Sequence, residues 1–419
     1  MRGAAAYERC ALEASRILWC LGGTGFGGTA VREGWRAMDR RVKVGVAAGG
    51  VALYGLVAWG ILSPNLDPPG RDAPGTFSFA AFGDSPYSVF EARQYEALLE
   101  DVAAHELAVI VHVGDLFAAS CVDHRYDKAL REFNALPHPV VYTPGDNEWT
   151  DCWGYGQVPL ERLAHIRRTF FDTPSASLGG DPIPLETQAG SGAFPDAVEN
   201  ARWAHEGVVF ATLHLVGSLN GMRSFRGRGD ADDVDSESRM RAAIAWLAET
   251  FEEARTTEAS GVVLAFHGNP GFDDDLDGET RAVFRPFLEA LAAEVAAFGG
   301  PVLGVHGDWH DYIVDRPLTH SVTGDTLAAF VRLQVPGSPT VGWVRVTVSP
   351  NRAEMFGFEE RVVPWREGAL VGVDFVVRWW WALLIGAVVG LRVAVLLRRR
   401  NEARWAASRA EFRDGSTGS

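Results

Sequence analysis

Phe77-Ser-Phe-Ala-Ala-Phe82-Gly-Asp84-Ser-Pro86-Tyr87 is a short apolar run that stops at a glycine and an aspartate. Its brevity, its phenylalanines and the Gly-Asp stop predict a β-strand that ends in a tight turn. The same unit returns along the chain. Ala108–Val113 contains His112 and leads to Gly-Asp115, and Val140–Thr143 leads to Pro-Gly-Asp146-Asn147-Glu148. Gly261–Phe266 leads to His267-Gly-Asn-Pro, and Val302–Val305 to His306-Gly-Asp308-Trp-His310. Val208–Leu215 reads as a further strand. Longer periodic segments between these predict helices over Val89–His105, Asp123–Asn134, Leu160–Phe171, Glu237–Arg255 and Thr280–Phe298. In the last of them Val283, Phe287, Leu291 and Val295 recur every fourth residue, as one helical face requires. Strand–helix alternation predicts α/β layering. After Leu327 the pattern changes, and Phe330–Val335, Gly342–Val348 and Ala353–Phe358 predict consecutive antiparallel strands.

Open α/β sheets build their ligand sites at the carboxyl ends of strands. Five strand ends here deliver Asp, Asn or His, the oxygen and imidazole donors that hold divalent or trivalent cations. One Gly-Asp after a strand is ordinarily a turn or a helix cap. Five in series, separated by helices, predict one metal-binding site.

The order Gly-Asp, Gly-Asp, Gly-(Asn/Asp)-x-Glu, His, Gly-x-x-His resembles the calcineurin-like metallophosphoesterase superfamily over about residues 77–360. The resemblance implies a four-layer α-β-β-α sandwich of two mixed sheets with flanking helices. It also implies two metal ions, divalent or mixed-valence (Mn, Zn or Fe), that share a bridging aspartate and activate a water. Carried over by residue, Asp84 is a ligand of one metal, Asp115 the bridging carboxylate, His310 a second ligand of the first metal and His267 a ligand of the other. Asp308 stands where the family has a histidine. Asp146 stands where it has asparagine, with Asn147 in the place of the catalytic histidine, and a one-residue shift would instead make Asn147 the ligand. The first motif departs too, because Pro86 replaces its histidine. The adjacent Tyr87 is a candidate phenolate ligand. His112 and His306 are candidates to orient a ligand, touch the phosphoryl group or protonate the leaving oxygen, or else are buried strand residues. Asn147 can donate a hydrogen bond but cannot act as an acid. The site is therefore richer in oxygen than the family pattern.

Outside that stretch the chain carries two apolar runs. Val44–Leu62 has 19 residues and no charge, long enough at about 1.5 Å per residue to cross a bilayer core. Arg40, Arg41 and Lys43 precede it. Phe375–Leu397 opens near Trp379-Trp380-Trp381, contains Arg392 and ends at Arg398-Arg399-Arg400. Basic residues on the outer flank of both runs predict two transmembrane helices with both termini cytoplasmic. The alternatives for the first run are a buried core helix, for which Gly49, Gly50 and Gly55 are poor choices, and a cleaved signal peptide, with translation beginning at Met38. The domains expected are a cytoplasmic segment 1–43, a span 44–62, a linker 63–76, a catalytic domain 77–365, a span 375–397 and a basic tail 398–419. The chain carries 39 Lys and Arg against 54 Asp and Glu, a formal charge of −15, with basic ends and an acidic middle, which disfavours nucleic acid as a partner. Cys10 and Cys20 fall in the segment expected to be cytoplasmic. Cys121 and Cys152 fall in the exported region, where disulfides persist, and are expected to form a bridge that clamps two loops of one site.

The function expected is that of a membrane-anchored extracytoplasmic phosphoesterase, acting on a small phosphoester or a lipid headgroup. The alternative is a domain of the same fold that binds metal or acts as a scaffold without catalysis. Arg223, Arg226 and Arg228, in a Gly-rich segment, are candidates to steer an anionic substrate, or else form an exposed loop balanced by Asp230, Asp232 and Asp233.

Overall fold

The computed structural model describes residues 72–363, apart from residues 119, 274–277, 351 and 353. The chain divides into two units, residues 1–65 and 66–419, and the described residues fall in the second. Both apolar runs, Cys10, Cys20 and the basic ends lie outside the described residues. Among the described residues no helix is long and apolar enough to cross a membrane.

In chain order the elements are β1 (Phe77–Phe82), α1 (Glu91–Ala104), β2 (Ile110–His112), α2 (Asp123–Ala135), β3 (Pro139–Tyr142), α3 (Pro159–Phe170), β4 (Leu178–Gly179) and β5 (Glu186–Thr187). There follow β6 (Ala201–His205), β7 (Val208–Thr212), α4 (Asp230–Thr256), β8 (Gly261–Ala265), α5 (Gly278–Phe298), β9 (Val302–His306), β10 (Ile313–Asp315), β11 (Phe330–Gln334), β12 (Gly342–Val348) and β13 (Phe356–Val362). The first sheet runs β13-β12-β1-β2-β3-β4 and the second β10-β11-β9-β8-β7-β6-β5. β1, β2 and β3 are parallel, as are β7, β8, β9 and β11, and the remaining pairings are antiparallel, so both sheets are mixed.

The side-chain alternation of β1 shows how the layers are assembled. Phe77, Phe79 and Ala81 join Val111, Val141, Phe210, Val263 and Val305 in a core between the two sheets. Ala80 and Phe82 face the other way, into a core with Leu98 of α1, Phe133 of α2 and Ile166 of α3. On the far side of the second sheet Leu264 packs with Trp246 of α4 and Phe287 of α5. Period-two alternation places successive side chains on opposite faces, so a strand that is apolar at every position can serve two cores at once.

Two expectations need correcting. Of the strands after Leu327 only β12 and β13 are the expected consecutive antiparallel neighbours: β11 lies parallel to β9 in the second sheet, whereas β12 pairs antiparallel with β1 in the first. The turn Pro336-Gly337-Ser338-Pro339 lies between them. Apolar alternation specifies a strand but not its partner, and a Pro- and Gly-rich break permits the change of sheet. The last strand is Phe356–Val362 rather than Ala353–Phe358. The sequence reading also missed β6, whose two-residue turn Glu206-Gly207 has positive φ at both positions, the primed geometry that suits a hairpin.

Candidate metal centre

The C-terminal ends of β1, β2, β3, β8 and β9 come together, and each brings one motif. Asp84 follows β1, Asp115 follows β2, Asp146 follows β3, His267 follows β8, and Asp308 and His310 follow β9. The His267 Nε2 atom lies 3.4 Å from Asp115 Oδ1, 3.5 Å from Asp146 Oδ1 and 3.9 Å from Asp308 Oδ1. His310 Nε2 lies 3.8 Å from Asp84 Oδ1. Two overlapping groups, Asp84–Asp115–His267 and Asp146–His267–Asp308, hold their donor atoms within 4.8 Å of one another. His267 belongs to both.

The loops bind one another before they bind anything else. Asp84 N–H donates to Gly114 O, Gly307 N–H to His267 O and Ser338 N–H to Asp84 O. The Asp308 amide donates to Asp84 Oδ1 at 3.0 Å, which joins the last motif to the first. Asp84, Asp115, Asp308 and His310 all have φ between 53° and 77°. Asp and His tolerate this left-handed backbone better than most residues, and strain of this kind gathers at functional sites when the surroundings enforce it.

Close packing removes side chains from the pocket wall. A Cβ on Gly145 would meet Asp115 Oδ1, one on Gly307 would meet Asp84 Oδ2, and one on Gly217 would meet both Asp308 and Asp146. These glycines let carboxylates face each other across a gap with no side chain in it.

Asp115 is the most tightly held ligand candidate. Its Oδ1 accepts the Asn147 backbone N–H at 3.0 Å, and its Oδ2 accepts Asn147 Nδ2–H at 2.7 Å and the Tyr87 hydroxyl. Tyr87 is thus a donor to the carboxylate, and burial, then the charges of Asp115 and Asp84, hold its hydroxyl pKa well above the usual range. That geometry does not support the candidate phenolate. Asn147 donates to Asp115, while Asp146 Oδ1 lies 3.5 Å from His267 Nε2, so the geometry groups Asp146 rather than Asn147 with the candidate ligand atoms. Glu148 faces inward as well, accepting from the Leu116 amide at 2.8 Å and the Tyr142 hydroxyl at 3.1 Å. Cys121 and Cys152, which follow these two motifs, form the expected disulfide, with a Cα–Cα distance of 5.7 Å.

His112 and His306 lie apart from this chemistry. His112 accepts the Gly114 N–H on Nδ1, and its ring packs among Phe82, Phe133 and Tyr142. His306 bonds the Gly307 carbonyl through Nδ1 and stacks on Phe266. Burial pulls both imidazoles down to about 3. Neither has a described hydrogen bond to the carboxylate cluster, and a base that weak is not protonated near neutrality. The geometry supports the buried strand-residue alternative over the acid.

Electrostatics set the demand on the site. Burial, with Asp308 and Asp146 adding to it against His267, pushes Asp84 up to about 7. Burial and then Asp146 push Asp308 up to about 6, and burial holds Asp115 well above the ordinary carboxylate range. Burial opposes the His267 cation, but Asp115, Asp146, Asp84 and Asp308 outweigh it and raise its pKa. Buried like charges this close are relieved by protonation or by a bound cation. The donors are arranged to meet one. His267 Nδ1–H is committed to the Val113 carbonyl at 2.8 Å, which leaves Nε2 facing the carboxylates. That Nε2 atom and Asp84 Oδ2 are buried without a hydrogen-bond partner. Four carboxylates and two imidazoles fit one or two divalent cations in number and kind.

A family model for the calcineurin-like phosphoesterases matches residues 77–312. The chain belongs to the calcineurin-like phosphoesterase family. That match spans all five motifs and the strands that carry them. Among 19 matching solved chains, the crystal structure of the Thermus thermophilus protein TT1561 is 14% identical, with a TM-score of 0.34, and the alignment covers 69% of this chain and 100% of that one. A comparison with curated proteins finds no match.

Sequence reasoning missed the residues that shape this calcineurin-like site without ligating. Asn269 presents its backbone N–H to Asp308 Oδ2 at 3.2 Å, and its side-chain amide bonds Asp273 at 2.5 Å. The Ser338 carbonyl holds His310 Nδ1 at 2.7 Å. Nothing in the sequence aims the Pro336–Pro339 turn after β11 at His310.

Proposed function

We propose that the protein is a membrane-anchored, metal-dependent phosphoesterase whose catalytic domain lies outside the cytoplasm. The observation that carries the enzymatic reading is the meeting of Asp84, Asp115, Asp146, His267, Asp308 and His310, with His267 Nε2 and Asp84 Oδ2 buried and unpartnered. Asp84 and His310 would hold one cation, Asp146, His267 and Asp308 the other, with Asp115 between them. Two cations so held supply charge for the phosphoryl oxygens and lower the pKa of an attacking water. The protein's own part is positioning. Asn147 and Tyr87 fix the Asp115 carboxylate through three donated hydrogen bonds. The second hydrogen on Asn147 Nδ2 is a donor for a phosphoryl oxygen. Mn, Zn and Fe all suit such donors, and the added Asp146 and Asp308 carboxylates favour the harder, oxygen-preferring ions.

The anchoring rests on the basic flanks of Val44–Leu62 and Phe375–Leu397. The Cys121–Cys152 disulfide agrees with an oxidising compartment. A small phosphoester or a lipid headgroup fits as substrate, and nucleic acid does not suit so acidic a chain.

A second reading, a metal-binding domain without catalysis, is favoured by Pro86 and Asn147 in histidine positions and by the burial of His112 and His306. Hydrolysis of p-nitrophenyl phosphate by the purified full chain, with Mn, Zn or Fe supplied, separates the two. Turnover that disappears in Asp115→Ala is the expected result. Stoichiometric metal with no turnover on this or any other phosphoester would establish the second reading instead.

A further inference from the structure

We propose that the face bearing the site docks on the surface of a lipid bilayer, and that the phosphoester it takes is one carried by a lipid in that surface. The substrate half of this rests on the phosphoesterase reading; the docking half does not.

Exposed apolar side chains gather at one end of the molecule. Val89 is 80% exposed, Trp153 38%, Tyr155 52%, Met222 39% and Trp309 43%. Each lies on a segment that follows the C-terminal end of β1, β3, β7 or β9, the end at which the carboxylates converge. Trp153 stacks on Phe225 from the neighbouring loop, ring centroids 5.9 Å apart and planes 14° from parallel, so two loops present one aromatic surface. Among described residues, Val322 stands exposed at the other end of the sheets. Folding does not demand such residues around a polar pocket. Tryptophan and tyrosine, apolar in body and polar at one edge, suit the headgroup region of a bilayer.

Charge agrees. Arg223 and Arg226 are exposed in the same loop as Met222 and Phe225. Arg228 pairs with Asp233 and the charge of Arg223 acts on Asp151, whereas Arg226 forms no ion pair with a described residue. A guanidinium beside aromatic surface is fitted to lipid phosphates. The direction of the chain after β13 agrees as well. Gly342 pairs with Val362 while Ala81 pairs with Val344, so β13 ends beside the C-terminal end of β1, where Asp84 lies. Phe375, the first residue of the second apolar run, is twelve residues beyond Val363. The described chain therefore ends at the site-bearing end, within about 40 Å of extended chain from that run.

The test uses the full chain reconstituted in phosphatidylcholine vesicles. Brominated phosphatidylcholine should quench a component of the indole fluorescence that is missing from Trp153→Phe. Quenching equal in the two proteins overturns the docking. In the same vesicles, the double variant Trp153→Ser, Met222→Ser should hydrolyse a long-chain lipid phosphoester about tenfold more slowly, with p-nitrophenyl phosphate turnover unchanged. Equal loss on both substrates, or a short-chain soluble analogue cleaved as fast as the vesicle-borne lipid, overturns the substrate assignment. Quenching at Trp153 without turnover of any phosphoester supports docking and contradicts the catalytic reading.

Discussion

Asp115 draws donors from two loops, and this makes it the residue whose removal should matter most. Asp115→Ala takes away the carboxylate between the two ligand groups and leaves Tyr87 and the Asn147 amide without their acceptor. Loss of several kcal/mol of transition-state stabilisation corresponds to about three orders of magnitude in turnover, at about 1.36 kcal/mol per tenfold. Steady-state kinetics on an aryl phosphate check it. Gly217→Ala tests the glycine wall: its Cβ would collide with Asp308 and Asp146 while every ligand remains present. We expect metal affinity to fall about 10- to 100-fold with an unchanged circular dichroism spectrum, as read by competition with a fluorescent chelator. The convergence of the candidate ligand residues was legible because each combines a strand end, a glycine and a donor side chain. Gly217 was not, since a glycine shows nothing of which distant carboxylates will press on it. Nor was the fate of His112 and His306, whose imidazoles look the same in sequence whether they meet a substrate or a phenylalanine ring.

At the scale of elements, two ties between loops and helices can be measured. The Cys121–Cys152 bridge closes a separation of 31 residues around β3 and α2. The chain-entropy model assigns such a loop about 3–4 kcal/mol, so the Cys121→Ser, Cys152→Ser variant should unfold at a lower urea concentration, with a steeper slope because its unfolded chain is less compact. The second tie is Glu199, buried before β6. Burial alone would raise its pKa, but His214 and Arg167 of α3 outweigh that and hold it down to about 2. A carboxyl depressed in the folded state stabilises fully above its unfolded pKa of about 4.5 and loses that contribution as pH falls toward 2. Acid titration of the melting temperature should show this loss in the native chain, on the order of 3 kcal/mol, and a shallower slope in Glu199→Gln. The strands that carry motifs were legible because each is short, apolar and cut off by glycine. The partner of β11 was not, because pairing is decided by where the Pro336–Pro339 turn sends the chain and not by local alternation.

At the scale of the molecule, two mixed sheets with helices on their outer faces bring residues as distant in sequence as Asp84 and His310 within 3.8 Å. Strand–helix alternation made the layered class readable, and the order of motifs made the family readable. The convergence itself was an inference from strand ends, and it is the claim on which the rest depends. The most direct test is elemental analysis of the purified full chain beside Asp84→Ala and His267→Ala. We expect up to two equivalents of a transition metal in the native protein, a clear deficit in each variant, and loss of aryl phosphatase activity on chelation that returns when the metal is restored. Metal content that is the same in all three proteins, or activity indifferent to chelation, would contradict it.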